Sequence, residues 1–194
     1  TDTKAEIKLV RKIAEQHGCR VLRLPPCRAA QLNAGARAAS GSVLLFLHAD
    51  TRLPPGFDAT VRTTLAIPGV VAGAFCLRID AAGWPLRVIE RAVDVRSRVL
   101  RMPYGDQGIY LGKETFQRLG GFPRLPIMED FELVRRLRRR GTIRISPSAV
   151  LTSGRRWKRL GPWRTIWINQ KVILGYHLGV SPERLAGWYA RGVD

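Results

Sequence analysis

Cysteine is scarce in this chain of 194 residues, and the three present, Cys19, Cys27 and Cys76, are odd in number and lack close metal-ligand spacing. That excludes a disulfide framework and a cysteine metal cage, and reads as free thiols in a reducing cytosol. No apolar run approaches the roughly 20 residues that a membrane span needs, and no signal peptide is visible. There is no internal repeat, linker or low-complexity segment, so one domain over residues 1–194 is the expectation. Acids are the other shortage: 15 Asp and Glu face 33 Lys and Arg, a net charge of +18. Such a field draws polyanions, whether nucleic acid, anionic headgroups or phosphorylated small molecules. The bases are mostly Arg, which grips phosphate through paired hydrogen bonds.

With 45% hydrophobic residues, the chain is long enough for one sizeable core. Thr3 and Glu6 form a capping box that opens a helix ending near Gly18. Cys19–Leu24 reads as a short strand, Arg28–Ser40 as an Ala-rich helix stopped by Gly41, and Ser42–Leu47 as a continuously apolar strand of a parallel sheet. Pro54 and Pro55 start a helix to Leu65. Val70–Asp80 is a strand and Trp84–Leu100 a helix, which completes an α/β order. Gly105–Gly112 is a loop leading into a strand, and a short helix and the GGFP turn follow. Met128–Gly141 is a helix with acids first and Arg last, as its dipole favours. Thr142–Ile145 and Ala149–Thr152 are two short strands. Pro162–Arg191 is a pair of helices divided at Ser181-Pro182.

The apolar strand ends on His48-Ala49-Asp50. A buried carboxylate is costly unless compensated, whereas one at a strand end lies where open α/β sheets bind ligands. Asp50 alone fits an ordinary turn acid, Glu129 and Asp130 alone fit helix-dipole partners, and Arg155-Arg156-Trp157 alone fits a solvated basic turn. Together they fit an acidic centre ringed by arginine. In it Asp50 holds a divalent cation shared with substrate phosphates, a second carboxylate takes a proton, and Arg155 and Arg156 clamp a diphosphate.

Six segments, RAAQLNAGARAASG, LLFLHADTRLPPGF, YGDQGIYL, GGFPRLPIMEDFELVRRLRRRG, TSGRRW and LGVSPERLAGWY, resemble the family 2 glycosyltransferases in the family's order. More narrowly they resemble a bacterial subgroup of arsenosugar-biosynthesis and radical-SAM/selenodomain-associated glycosyltransferases. The resemblance implies a GT-A-like nucleotide-diphospho-sugar transferase fold, an α/β domain with a mostly parallel central sheet flanked by helices and a helical C-terminal tail. It implies a metal-dependent, inverting transfer of a sugar from a nucleotide-diphosphate donor to a hydroxyl acceptor. HAD occupies the DxD position, so Asp50 becomes the ligand of Mn²⁺ or Mg²⁺, while His48 replaces the first acid and faces ribose or diphosphate. Asp130 becomes the general base with Glu129 as its partner. Arg155, Arg156 and Trp157 match the RW element. Arg28, Asn33 and Gly35 line the donor pocket, Gly35 by permitting close packing, and Gly105, Asp106 and Gln107 match the loop facing donor sugar and acceptor. The family's N-terminal strand–helix–strand unit, about 30 residues or more, has no counterpart beyond Thr1–Thr3, so the sequence is expected to lack it.

The same residues admit other readings. A polyprenyl-phosphate sugar transferase at the inner face of the membrane is motivated by Trp163–Val180, too polar to cross a bilayer but suited to its interface; a helix packed on the domain is the favoured account of that stretch. A nucleotidyltransferase on a similar sheet is a second alternative. A nucleic-acid binder is a third, resting on the charge and on Arg135, Arg136, Arg138, Arg139 and Arg140. It lacks interleaved aromatics and any known binding motif, so no nucleic-acid partner is expected. The resulting expectation is a cytoplasmic enzyme, with peripheral membrane contact as a further partner.

Overall fold

In the computed structural model, the described residues are 3–193, with side chains described for 7–192. Helix α1 (Thr3–Gln16) covers the first expected helix; the side chains of Thr3 and Glu6 that the capping box needs lie outside the described residues, as do Thr1 and Asp2 of the Thr1–Thr3 resemblance. The elements that follow are α2 (Arg28–Ala38), β1 (Val43–Phe46), β2 (Thr51–Arg52), α3 (Phe57–Leu65) and β3 (Val70–Asp80). They continue with α4 (Trp84–Val99), a single 3₁₀ turn at Gly105–Gln107, β4 (Ile109–Gly112), α5 (Lys113–Arg118) and α6 (Glu129–Arg138). The chain closes with β5 (Thr142–Ser153), α7 (Arg155–Leu160), α8 (Pro162–His177) and α9 (Pro182–Val193).

The strands form one sheet in the order β1-β4-β3-β5-β2. Helices flank it, as expected of an α/β fold, but the sheet is not mostly parallel. Only β3 and β5 run parallel; β1–β4, β3–β4 and β2–β5 are antiparallel. The apolar run of β1 reports that helices cover the sheet, and coverage is indifferent to strand direction. Alternate residues show this on β3, because side chains point to opposite faces with period two. Ala72, Ala74 and Cys76 enter a core with α2, α5, α6, α8 and α9. Phe75, Leu77 and Ile79 enter a second core with α3 and α4. The Tyr110 ring of β4 lies across Gly73, where any Cβ would collide with it.

Several local expectations are corrected. Cys19–Leu24 forms no strand; no neighbouring strand pairs with it among the described residues, and Val21 and Leu22 are exposed. The two short strands after Gly141 are one strand, β5, whose register against β3 shifts between Ala74 and Cys76. Pro147 lies in the span opposite that shift, where the absent N–H of proline breaks no ladder. Helix α3 starts only at Phe57, after Gly56 turns in the left-handed region at φ 67°. The basic turn Arg155-Arg156-Trp157 is the first turn of a helix, α7.

Candidate active site

The ends of β1 and β5, the first turns of α2 and α6, the 3₁₀ turn and the inner sides of α8 and α9 enclose a cleft of about 520 Å³. Each wall has a local cause. Pairing of β2 with β5 sets Thr51 opposite Thr152, their hydroxyls 3.1 Å apart. The Ser153 N–H donates to the Asp50 carbonyl at 3.0 Å. That pairing fixes the HAD turn beside the start of α7, and Arg155 Nη2 lies 3.8 Å from Asp50 Oδ2.

The acids of α6 sit at its N-terminus, where the helix dipole favours them. Met128, the residue before α6, is held at φ 70°, a conformation costly for a non-glycine residue and often found at functional sites. It turns the chain so that Asp130 faces the cleft, half-buried, while Glu129 is buried at 3% exposure. Asp130 Oδ2 accepts the Gly105 N–H at 2.7 Å and Oδ1 accepts the Phe131 N–H at 2.7 Å. Arg28 Nε lies 3.1 Å from Glu129 Oε1. That ion pair lacks hydrogen-bond alignment, so the buried oxygen has no hydrogen-bond partner. Burial, then the Asp130 charge, push the Glu129 carboxyl above its ordinary range.

Arg28 Nη2 also bonds His48 Nε2. A guanidinium can only donate, so Nε2 is the acceptor and the proton of a neutral His48 resides on Nδ1. Burial, then the Arg28 charge, hold this imidazole below its ordinary value. Across the cleft, Oδ1 of Asp106 is buried without a hydrogen-bond partner, and burial raises this carboxyl. The Arg96 guanidinium sits 3.6 Å above the Tyr104 ring, whose hydroxyl is also raised, first by burial.

On the far wall Arg156 is clamped. Its Nη1 donates to the Tyr189 hydroxyl and its Nη2 to Asn169 Oδ1 at 3.2 Å. The guanidinium carbon lies 4.7 Å from the centre of the Tyr189 ring, a cation–π arrangement. Its Nε is buried with no hydrogen-bond partner, and the second N–H on each of Nη1 and Nη2 is the donor left on the cleft side for a ligand. Trp157 completes this wall while packing on the second core.

The cleft therefore gathers Arg28, His48, Asp50, Asp106, Glu129, Asp130, Arg156 and Trp157, with the Gly105 N–H on the Asp130 carboxylate. Other expected residues lie elsewhere. Asn33 is spent on the GGFP turn: it donates to the Phe122 carbonyl at 2.8 Å and accepts the Phe122 N–H at 2.9 Å. A Cβ on Gly35 would meet nothing within 4 Å, so no close packing requires glycine there. Gln107 is fully buried beneath the floor, bonded to Ser97, Arg96, Tyr104 N–H and the Phe75 carbonyl. Arg155 sits on the outer rim, its side chain 82% exposed. Tyr104, Asn169 and Tyr189 are lining residues that the sequence reading missed. Asn169, an amide among apolar helix residues, was the one signal available.

The strand order, the helices on both faces and the cleft at the end of β1 bear comparison with solved structures. The mannosyltransferase PcManGT from Pyrobaculum calidifontis, in complex with GDP-Man and Mn²⁺, superposes over 99% of this chain with a TM-score of 0.62 and 21% identity. The fold is the GT-A fold. GalNAc-T7 with UDP, GalNAc and Mn²⁺ shares it over 79% of the chain, with a TM-score of 0.57 and 15% identity. The chain spans 57% and 36% of those two proteins' lengths. No protein-family model and no curated protein matches it.

For a GT-A fold a divalent cation is the implied cofactor, and the fit can be tested on the residues. No group of three or more His, Cys, Asp or Glu side chains among the described residues is arranged as a metal cage. Asp50 alone presents an accessible carboxylate at the strand end, its side chain 42% exposed. One carboxylate suits a cation that takes most of its oxygens from a ligand's phosphates and from water, as Mg²⁺ commonly does.

Proposed function

We propose that this chain carries the transferase centre of a metal-dependent, inverting glycosyltransferase of the family 2 type. It would move a sugar from a nucleotide-diphosphate donor to a hydroxyl acceptor. One observation carries the reading: Asp50 opens into the same cleft as the Glu129–Asp130 pair, Arg28 and Arg156, on a fold shared with enzymes solved with nucleotide ligands and Mn²⁺. The narrower reading, membership of the arsenosugar-biosynthesis subgroup, rests on the motif resemblance.

In this reading Asp50 holds the Mn²⁺ or Mg²⁺ that, when bound, neutralises the departing diphosphate. Asp130, half-buried and reachable, takes the proton of the acceptor hydroxyl. The acceptor oxygen then bonds to the anomeric carbon on the face opposite the diphosphate, the carbon–oxygen bond to phosphate breaks, and nucleoside diphosphate leaves with the electron pair. Glu129 is sealed behind Arg28 and holds the Arg28 guanidinium over the cleft. The remaining Nη N–H groups of Arg156 and the Nδ1–H of His48 are donors available to donor oxygens, and Arg155 guards the mouth beside Asp50. Gly105 positions the Asp130 carboxylate through its N–H.

The experiment is a panel of UDP-, GDP- and TDP-sugars, with and without Mn²⁺, read by thermal shift and by product release on the full-length protein. A ligand that binds only the folded state raises the melting temperature by mass action. Asp50→Asn should abolish the metal-dependent shift, whereas Asp130→Asn should keep the shift and lower turnover by at least about 10²-fold. Release of pyrophosphate instead of nucleoside diphosphate would replace this reading with nucleotidyl transfer. Near-parental turnover of Asp130→Asn would remove the base assignment.

A further inference from the structure

Helix α8 is apolar on two sides. Ile168 and Val172 are buried inward, and the same helix lends Thr165, Asn169 and Ile173 to the cleft wall. Its opposite side presents Trp163 and Trp167, 64% and 70% exposed, and continues through Leu174 to Leu178 just beyond the helix. Spacings of four, seven and four residues put these on one stripe of a 3.6-residue helix, roughly 22 Å long at 1.5 Å per residue. An exposed apolar stripe anchored by two tryptophans is not an ordinary solvated surface.

The charge around it selects a partner. Between Glu132 and Glu183 the sequence contains no acid and twelve Lys or Arg. Arg164 and Lys171 border the stripe on α8 itself, Lys171 with its ammonium 4.9 Å from the Trp188 ring. Lys158 of α7 lines a shallow depression with Trp84, which is 71% exposed at the start of α4. Asp80 is the one acid in that depression, and a second copy of the chain would bring this predominantly basic face against itself, so self-association is opposed by like charge. Nucleic acid would use the bases but leaves Leu174 and Leu178 without purpose. A bilayer with anionic headgroups uses all of it, since Trp settles at the headgroup boundary, Leu reaches the acyl chains and Lys and Arg meet phosphate. No helix among the described residues is long and apolar enough to cross a membrane, so the contact lies on the surface.

We infer that the outer face of α8 docks on anionic membrane surfaces, which places one wall of the cleft next to the lipid headgroups. This goes beyond the proposed sugar transfer and stands or falls without it. The test is co-sedimentation of the full-length protein with phosphatidylcholine vesicles and with vesicles that also contain phosphatidylglycerol, together with tryptophan emission. Expected are binding to the anionic vesicles only, a blue shift, and weakening as salt rises. Trp163→Ser combined with Trp167→Ser should lower the partition coefficient on the order of tenfold or more, with the melting temperature unchanged. Arg164→Ala with Lys171→Ala should lower it on the order of tenfold at low salt and little at high salt. The inference is overturned if anionic vesicles do not bind at low salt. It is also overturned if the double Trp variant binds as the parent does, or if that variant instead abolishes a dimer.

Discussion

Replacing Gly105 by alanine is the sharpest single perturbation of the cleft. Its φ lies outside the left-handed region, so alanine can adopt the backbone and the effect is one of space. A Cβ there would stand 2.7 Å from Arg28 Nη2, 2.7 Å from Asp130 Oδ2 and 3.2 Å from His48 Nε2. Ordinary contact begins at 3.4 Å, so 3.4 − 2.7 leaves 0.7 Å to be found at the two nearest atoms. Arg28 is half-exposed and can swing aside. The Asp130 carboxylate cannot retreat without stretching the 2.7 Å bond from the Gly105 N–H. Overpacking of this size costs about 1–3 kcal/mol, and a chain of this length loses about 2–4 °C per kcal/mol. The melting temperature should therefore fall by roughly 2–12 °C. A base displaced by a large part of an ångström should cost turnover on the order of 10²-fold. Donor binding, read by thermal shift, should change less than turnover, because Arg28 has room to adapt. Turnover within about twofold of the parent, in a variant that folds, would refute the idea that this carboxylate does the chemistry.

Glu129→Gln tests the buried acid. Glu129 holds its proton more tightly folded than unfolded because of burial and its neighbour Asp130. Its contribution to stability is therefore fullest below its ordinary value of 4.5 and is lost as pH rises through the raised one. The melting temperature of Glu129→Gln minus that of the parent should climb between about pH 4 and pH 7, and a flat or falling difference would contradict the burial argument. Gln107→Ala should lower stability by about 2–4 kcal/mol, measured by urea unfolding, because it strands several buried groups at once. Donor binding by the folded fraction should persist, since Gln107 lies under the floor.

Much of the architecture was legible because it rests on local patterns. Val70–Asp80 is a strand with the bounds its apolar run marks, and the division of the tail at Ser181-Pro182 follows from proline's missing donor. Strand direction was not legible: β1 reads as a parallel core strand, yet it pairs antiparallel with β4. Nor was partnership, as Cys19–Leu24 shows by joining no ladder. In the site, the HAD and MED acids announced themselves by sitting at element ends. Asn33 and Gln107 carry the same polar chemistry but spend it on Phe122 and on the floor of the cleft, which no sequence spacing reveals.

The order of residues by itself set the charge imbalance, the periodicities of most helices and strands, and the candidate acids and arginines, all properties of short stretches of chain. Tertiary structure alone decided which of them meet. Arg28 and Glu129 are about a hundred positions apart, and Arg156 and Tyr189 lie on helices with no local reason to touch. A cleft is a relation between distant backbone segments, fixed by how two cores bury apolar area on either side of one sheet, and that relation exists only once the sheet has formed.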